Sequence, residues 1–299
     1  MRNRFLGCME ILDSRLNRRT FVGGAAAAFS LGYSLRAEQS ARLRIGVTDW
    51  NLNLGANPAA VSKAAELGFE GVQISFGRNI VDGKMPADHP EIVAKYLELS
   101  KQTGVSIDGT CVDRLHDNGL KSDPLALKWV SDSIRLTRDL NTKVLLLPFF
   151  GRWALKTDAE MAHVGDALRE IAPEAERADV ILGLEDTISA EENVRIMDMS
   201  RSKNVLVYYD VGNSTQAGFD VAKEIRWLGK DRICQFHFKD NPYFLGEGSI
   251  HFVSVVQAVR DIGWSGWANL ETDARPGYLD PDMRKNLTYI RGIVNKVYG

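Results

Sequence analysis

The sequence contains few cysteines and histidines. There are 3 cysteines and 5 histidines among 299 residues, which argues against a thiolate-rich metal site. Cys111 and Cys234 have apolar neighbours in predicted strands, where we expect buried free thiols. They can form a disulfide only if their two strand positions are adjacent. His89, His116, His163 and His251 show no spacing typical of metal ligands.

The chain also lacks an excess of charge of either sign. Its 37 basic and 39 acidic residues leave a formal net charge of −2. This balance leaves no excess of basic residues that would favour binding to nucleic acid or to an anionic membrane surface. Apolar residues make up 44% of the chain, enough to bury a full core.

The amino-terminal segment resembles a twin-arginine export signal. Arg18 and Arg19 precede an Ala/Gly-rich run from Gly23 to Leu35, and this order of features is typical of an export leader. The run is shorter than the roughly 20 apolar residues of a membrane-spanning helix, so we expect no stable membrane span in the mature form. We predict a leader over residues 1–37, cleaved near Ala37, and an exported, periplasmic protein. A chance arginine pair in a flexible tail is the alternative.

From Leu43 onward the sequence alternates between short apolar runs and amphipathic segments. Strands are predicted at Leu43–Thr48, Gly71–Ile74, Val105–Gly109, Lys143–Pro148, Val180–Leu184, Val205–Tyr209, Ile233–Phe238 and Trp267–Leu270. A helix is predicted after each of them. Strict alternation predicts a parallel sheet, and eight repeats predict that it closes. We therefore expect an α/β fold, a single (β/α)8 TIM barrel over residues 43–299.

Four polar side chains follow successive predicted strands, at intervals of roughly 25 to 35 residues where one βα unit needs about 30. They are Glu185, Asp210, His237 and Glu271. Carboxyl ends of parallel strands meet on one face of a barrel, where active sites are built. Three carboxylates gathered there repel one another unless a cation lies between them, and a divalent metal is the simplest candidate.

Each of these residues also has a purely structural interpretation. Glu185 suits a solvated loop or a helix cap, and Asp210 suits a turn. His237 can be a hydrogen-bonded interior histidine, and Glu271 can pair with Arg275. Their common register on four consecutive strands favours the metal site.

The motifs around these residues resemble those of a known family. They are Gly183-Leu184-Glu185, Asp210-Val211-Gly212-Asn213, His237-Phe238-Lys239-Asp240, Gly246-Glu247-Gly248 and Leu270-Glu271. They occur in the order seen in sugar isomerases and epimerases of the xylose isomerase-like TIM-barrel superfamily. The resemblance implies that Glu185, Asp210, His237 and Glu271 bind one divalent metal, which holds the carbonyl of a sugar. It further implies that Glu185 and Glu271 act as catalytic proton donor and acceptor. Three oxygen ligands and one nitrogen suit Mn²⁺, Mg²⁺ or Co²⁺ better than Zn²⁺.

Four further residues are candidates for contact with the substrate. Asn213 stands where ketose epimerases often have a histidine, and an amide can bind a hydroxyl but does not relay protons. Lys239 is predicted to contact substrate or to form an ion pair with Asp240 or Glu271. Trp50 and Phe150 follow predicted strands and can line a sugar pocket or pack in the core.

The resemblance predicts a metal-dependent isomerase or epimerase that acts on a small-molecule sugar or keto-sugar by proton transfer beside a carbonyl. A hydro-lyase of the inosose dehydratase type and a non-catalytic carbohydrate-binding barrel are the alternatives. Phosphorylated substrates are disfavoured by Glu247 in the loop after the seventh strand. A homo-oligomer is compatible with the sequence.

Overall fold

The computed structural model describes residues 43–299, in which eight parallel strands form a closed barrel in sequence order. The strands are β1 Leu43–Thr48, β2 Gly71–Ser75, β3 Ser106–Cys111, β4 Val144–Pro148, β5 Ile181–Glu185, β6 Val205–Asp210, β7 Ile233–Phe238 and β8 Gly266–Leu270. Closure occurs between β1 and β8, where Leu43 pairs with Gly266 and Val47 with Leu270. The predicted (β/α)8 TIM barrel is confirmed.

Helices connect the strands and cover the outside of the barrel. Those of the described residues are α1 Ala59–Leu67, α2 Pro90–Thr103, α3 Ala126–Asp139, α4 Asp158–Ala178, α5 Ala190–Ser200, α6 Val211–Gln216, α7 Val221–Leu228, α8 Phe252–Asp261 and α9 Leu279–Tyr298. Short 3₁₀ helices lie at Asp113–His116 and Gly151–Trp153. None of these helices is both long and apolar enough to cross a membrane. The predicted leader, residues 1–37, lies outside the described residues and stays a prediction.

Strands β1 and β7 have their predicted bounds, five others differ by one residue at one or both ends, and β3 differs by more. Strand β3 was expected to end at Gly109 but continues to Cys111, because Thr110 and Cys111 pair with β4. The short helix α6 was missed. It begins directly after β6 because the Asp210 carboxylate accepts a hydrogen bond from the Asn213 backbone at its first turn.

Both cysteines of the described chain are free, as expected. Cys111 is buried, whereas Cys234 is half-buried.

The inside of the barrel contains several polar side chains. Gln73, Asp108, Tyr208, Gln235 and Asn269 are all buried there. Gln235 and Asn269 donate hydrogen bonds to Asp108 Oδ1, at 3.3 and 3.0 Å. Asp108 Oδ2 has no partner, and it lies so close to β1 and β2 that a Cβ at Gly46 or Gly71 would approach it to 2.2 or 2.3 Å. The two glycines therefore make room for a buried carboxyl group.

Burial raises the pKa of Asp108 from 3.8 to about 7. Between these values the folded protein binds a proton that the unfolded chain has released, so stability falls as pH rises through this window. We expect Asp108→Asn, which keeps an oxygen for Gln235 and Asn269 but carries no charge, to stabilise the protein above pH 7. The gain in the free energy of unfolding amounts to roughly 1.4 kcal/mol for each unit by which burial raises the pKa of Asp108. It disappears below about pH 4, where the carboxyl group is protonated in both states. Urea unfolding of both proteins at pH 5 and pH 9 tests this, and an equal difference at the two pH values would contradict it.

Candidate active site

The four predicted metal ligands meet at the carboxyl end of the barrel. Glu185 ends β5, Asp210 ends β6, His237 lies near the end of β7, and Glu271 follows β8. Asp210 and His237 are direct partners in the β6–β7 ladder. One ligand atom from each of the four residues lies within 4.8 Å of the others. Tertiary structure thus assembles a set of three oxygen donors and one nitrogen donor.

His237 lies at the centre of this cluster and has no exposed surface. Its Nδ1 is 2.9 Å from Glu185 Oε1, 3.5 Å from Glu271 Oε2 and 3.7 Å from Asp210 Oδ2. Its Nε2 is 2.7 Å from Gln73 Oε1 inside the barrel. Nδ1 therefore faces the carboxylates, and Nε2 contacts the Gln73 amide inside the barrel.

Asp210 uses its two oxygens differently. Oδ1 accepts the Asn213 backbone N–H at 2.7 Å and caps α6. Oδ2 is buried and has no hydrogen-bond partner, although the Lys239 ammonium lies 2.9 Å away. The nearest partner of this buried oxygen is thus a cation, as a buried carboxylate requires. The set of three carboxylate oxygens and one imidazole nitrogen, all within 4.8 Å of one another, fits a divalent metal ion.

Lys239 provides the positive charge nearest to the carboxylates in the structure. Its Nζ donates a hydrogen bond to Glu271 Oε2 at 2.6 Å, so the expected ion pair is formed with Glu271. Asp240 instead accepts hydrogen bonds from the backbone amides of the following loop. Arg275 pairs with Asp282, which leaves Glu271 to the cluster.

Glu185 and Glu271 have opposite electrostatic environments. Burial, reinforced by the charge of Glu271, raises the pKa of Glu185 above its ordinary value. Burial alone would also raise the pKa of Glu271, but the charges of His237 and Lys239 and hydrogen bonds from Lys239 and Trp50 lower it. Carboxyl groups whose environments separate their pKa values in this way are suited to acid and base roles.

Two members of the cluster, Glu185 and Glu271, line a cavity of ≈ 390 Å³. All four candidate substrate contacts, Asn213, Lys239, Trp50 and Phe150, also line it. Trp50 Nε1 donates a hydrogen bond to Glu271 Oε1 at 3.1 Å. Asn213 Nδ2 lies 3.4 Å from Glu185 Oε1 as a long hydrogen bond. Each catalytic candidate therefore has its own hydrogen-bond donor at the wall of the cavity.

Sequence analysis missed four polar residues of this cavity, Ser75, Arg78, Asp113 and His116. Asp113 and His116 belong to the 3₁₀ helix that follows β3, and the early end predicted for β3 concealed their position at a strand end. Burial raises the pKa of Asp113 to about 6 and lowers the pKa of His116. The His116 ring stacks on Phe150, with ring centres 6.2 Å apart.

Residues 61–293 match the sequence profile of the xylose isomerase-like TIM barrel family, and the chain belongs to that family. Among curated relatives, it is 26% identical over 206 residues to the 2-epi-5-epi-valiolone 7-phosphate 2-epimerase of an Actinoplanes species, covering 67% of this chain and 73% of that protein. It is 25% identical over 235 residues to the D-psicose 3-epimerase of Enterocloster bolteae, covering 71% of this chain and 75% of the relative.

Solved structures share the fold. The D-psicose 3-epimerase of Clostridium cellulolyticum H10 with D-tagatose superposes with a TM-score of 0.72 at 18% identity, covering 84% of this chain and 99% of the other. The 3-keto-D-glucoside 4-epimerase of E. coli gives a TM-score of 0.68 at 18% identity, covering 84% and 100%. At these identities the likeness extends to architecture, while the curated relatives connect the chain to sugar epimerases.

Proposed function

We propose that the protein is a divalent-metal-dependent isomerase or epimerase of a sugar or keto-sugar. The observation that carries this proposal is the pair Glu185 and Glu271. Both border the same cavity, both belong to the cluster of potential metal ligands, and their pKa values are displaced in opposite directions. Inversion of a carbon beside a carbonyl uses one such group to remove the proton and a second to return it on the opposite face.

Glu185, Asp210, His237 and Glu271 are the residues that would hold the metal. When bound, a divalent cation supplies Lewis-acid polarisation of a substrate oxygen. Glu185 and Glu271 exchange the proton with the substrate carbon, one as base and the other as acid. Asn213 and Trp50 hold these two carboxylates in place through the hydrogen bonds at 3.4 and 3.1 Å.

Lys239 and Phe150 are assigned to the substrate itself. The Lys239 ammonium, held between Asp210 and Glu271 at 2.9 and 2.6 Å, can donate to a sugar hydroxyl from the same side as the ligands. Phe150 offers an aromatic surface of the kind that packs against the C–H face of a sugar ring. Epimerisation is the chemistry named for the relatives from Actinoplanes and Enterocloster.

The proposal is tested by metal analysis of the purified protein followed by solvent-deuterium exchange. The panel contains unphosphorylated ketoses and oxidised sugars at saturating Mn²⁺, Mg²⁺ or Co²⁺. Deuterium entering the carbon beside the carbonyl, with formation of an isomer or epimer, is the expected result. Loss of water from an inosose would indicate the hydro-lyase. Sugar binding with no exchange would indicate a non-catalytic carbohydrate-binding barrel and would refute the proposal.

Glu247 does not decide whether the substrate carries a phosphate group, contrary to the argument made from the sequence. Its carboxylate pairs with Lys285 at 2.6 Å and is exposed. A direct comparison of each ketose with its phosphate ester belongs in the same panel.

We further propose export to the periplasm, on the basis of Arg18 and Arg19 before the Ala/Gly-rich run. We expect replacement of both arginines by lysine to stop export, because twin-arginine signals depend on that pair. Cell fractionation with immunodetection measures the result. Unchanged periplasmic accumulation of the double variant would refute the signal assignment.

A further inference from the structure

Gln73 on β2 contacts the far side of the His237 ring. Its side chain is completely buried, and its Oε1 lies 2.7 Å from His237 Nε2. The same oxygen accepts a hydrogen bond from the Tyr208 hydroxyl at 3.1 Å and a long one from Asn269 Nδ2 at 3.4 Å. One amide oxygen is thus the common acceptor for groups from β6, β7 and β8.

The orientation of the Gln73 amide follows from its partners. Its Nε2 donates to the Thr110 backbone carbonyl at 3.3 Å. Rotating the amide by half a turn would place two oxygens against each other at Thr110. It would also place the amide N–H₂ against the Asn269 donor. The oxygen of Gln73 must therefore face His237, and because this oxygen is only an acceptor, His237 Nε2 must carry a hydrogen.

A hydrogen on Nε2 leaves Nδ1 as the nitrogen available to a cation. Nδ1 is the atom that faces Glu185, Glu271 and Asp210 at 2.9 to 3.7 Å. In the metal-free protein its contact with Glu185 Oε1 at 2.9 Å is a hydrogen bond, and a bound cation would take the place of the shared hydrogen. A histidine that binds a metal usually donates its other N–H to an acceptor, which sets both the tautomer and the ring orientation. Carboxylates are frequent in that role, whereas a neutral amide adds no charge to a cluster that already contains three carboxylates.

We propose that Gln73 is a positioning residue that holds His237 in its Nε2–H form and directs Nδ1 toward the metal ligands. Tyr208 and Asn269 keep the amide oxygen in place from the other side. The inference rests on the metal site of the proposed function, but the tautomer of His237 is an independent property of the metal-free protein.

The first test is metal affinity, measured by calorimetric titration of the full chain with Mn²⁺ or Co²⁺ and no sugar. Gln73→Met keeps the length of the side chain but removes the acceptor, and we expect affinity to fall by about 10–100-fold. Gln73→Glu restores an acceptor, so its affinity should equal or exceed that of the parent. Gln235→Met is the matched control, because Gln235 is equally buried in the barrel and contacts Asp108 rather than His237.

The second test is the tautomer itself, read from nitrogen-15 shifts of labelled histidine in the metal-free parent chain. We expect a hydrogen on Nε2 of His237 in the parent, with or without a second one shared between Nδ1 and Glu185, and loss of this fixed Nε2 hydrogen in Gln73→Met. This measurement on the parent still decides the question if Gln73→Met does not fold. A hydrogen on Nδ1 alone, or equal metal affinities of Gln73→Met and Gln235→Met, would overturn the inference.

The two proposals fail in different ways. A parent protein that binds Mn²⁺ and turns over sugar, but is unaffected by Gln73→Met, refutes only the role of Gln73. If the parent protein has a hydrogen on His237 Nε2 but binds neither Mn²⁺ nor Co²⁺, the metal site is refuted. The role assigned to Gln73 is then refuted with it.

Discussion

Replacing Glu185 or Glu271 by glutamine is expected to lower turnover by about 10²–10⁴-fold, the effect of losing a general acid or base. Glutamine preserves the shape and one oxygen but cannot accept a proton. The effect should appear in kcat much more than in substrate binding. Because both residues are also candidate ligands, rates must be compared at saturating metal. In an epimerase with one glutamate on each face of the sugar, each variant should lose solvent-deuterium exchange from one epimer only.

Glu224→Gln is a suitable control for these variants. Glu224 is a half-buried carboxylate that accepts hydrogen bonds from the Tyr209 hydroxyl and the Ala190 backbone. It does not line the cavity of ≈ 390 Å³. We expect its turnover to stay close to the parent value. If Glu185→Gln or Glu271→Gln at full metal occupancy exchanged both epimers at the parent rate, that glutamate would be a structural ligand and the two-base mechanism would be wrong.

Asp210→Asn and His237→Ala are expected to abolish stable metal binding. Each removes one of four donors, and the loss should exceed the roughly 10–100-fold effect of removing an outer partner. Asp210→Asn is the more informative change, because an amide oxygen can still accept the Asn213 backbone N–H that caps α6. Metal content after dialysis, measured by mass spectrometry, is the readout, together with the melting temperature.

Asp220→Asn provides the matched control for that experiment. Asp220 caps α7 by accepting the Lys223 backbone N–H at 3.1 Å, so it has the same structural role away from the cluster. Its variant should keep its metal. Retention of full metal occupancy by both Asp210→Asn and His237→Ala would remove these residues from the metal site.

Local sequence patterns were sufficient for the elements that have strong local signals. Helix α4 begins after a capping box formed by Thr157 and Glu160, and such a box depends on residues three apart. Helix α1 ends at Gly68, whose positive φ of 92° is a conformation that favours glycine. These features need no information from the rest of the chain.

Positions that depend on distant partners were harder to predict. The end of β3 is set by pairing with β4, and this pairing cannot be read from the apolar run alone. The same error concealed Asp113 and His116. The role of Gln73 could not be predicted from the sequence either, because its partners Tyr208, His237 and Asn269 come from β6, β7 and β8.

The sequence by itself determined the alternation of strands and helices and the four polar residues at strand ends, because hydrophobic periodicity and strand-end placement are local properties. Closure of the barrel decided how the site residues are arranged and which charges surround them. It brought Glu185 and Glu271 to the same cavity and placed Lys239 between Asp210 and Glu271. It also displaced the pKa values of the two glutamates in opposite directions. Burial and the distances between charges control such displacements, and both exist only once residues far apart in the chain have been packed together.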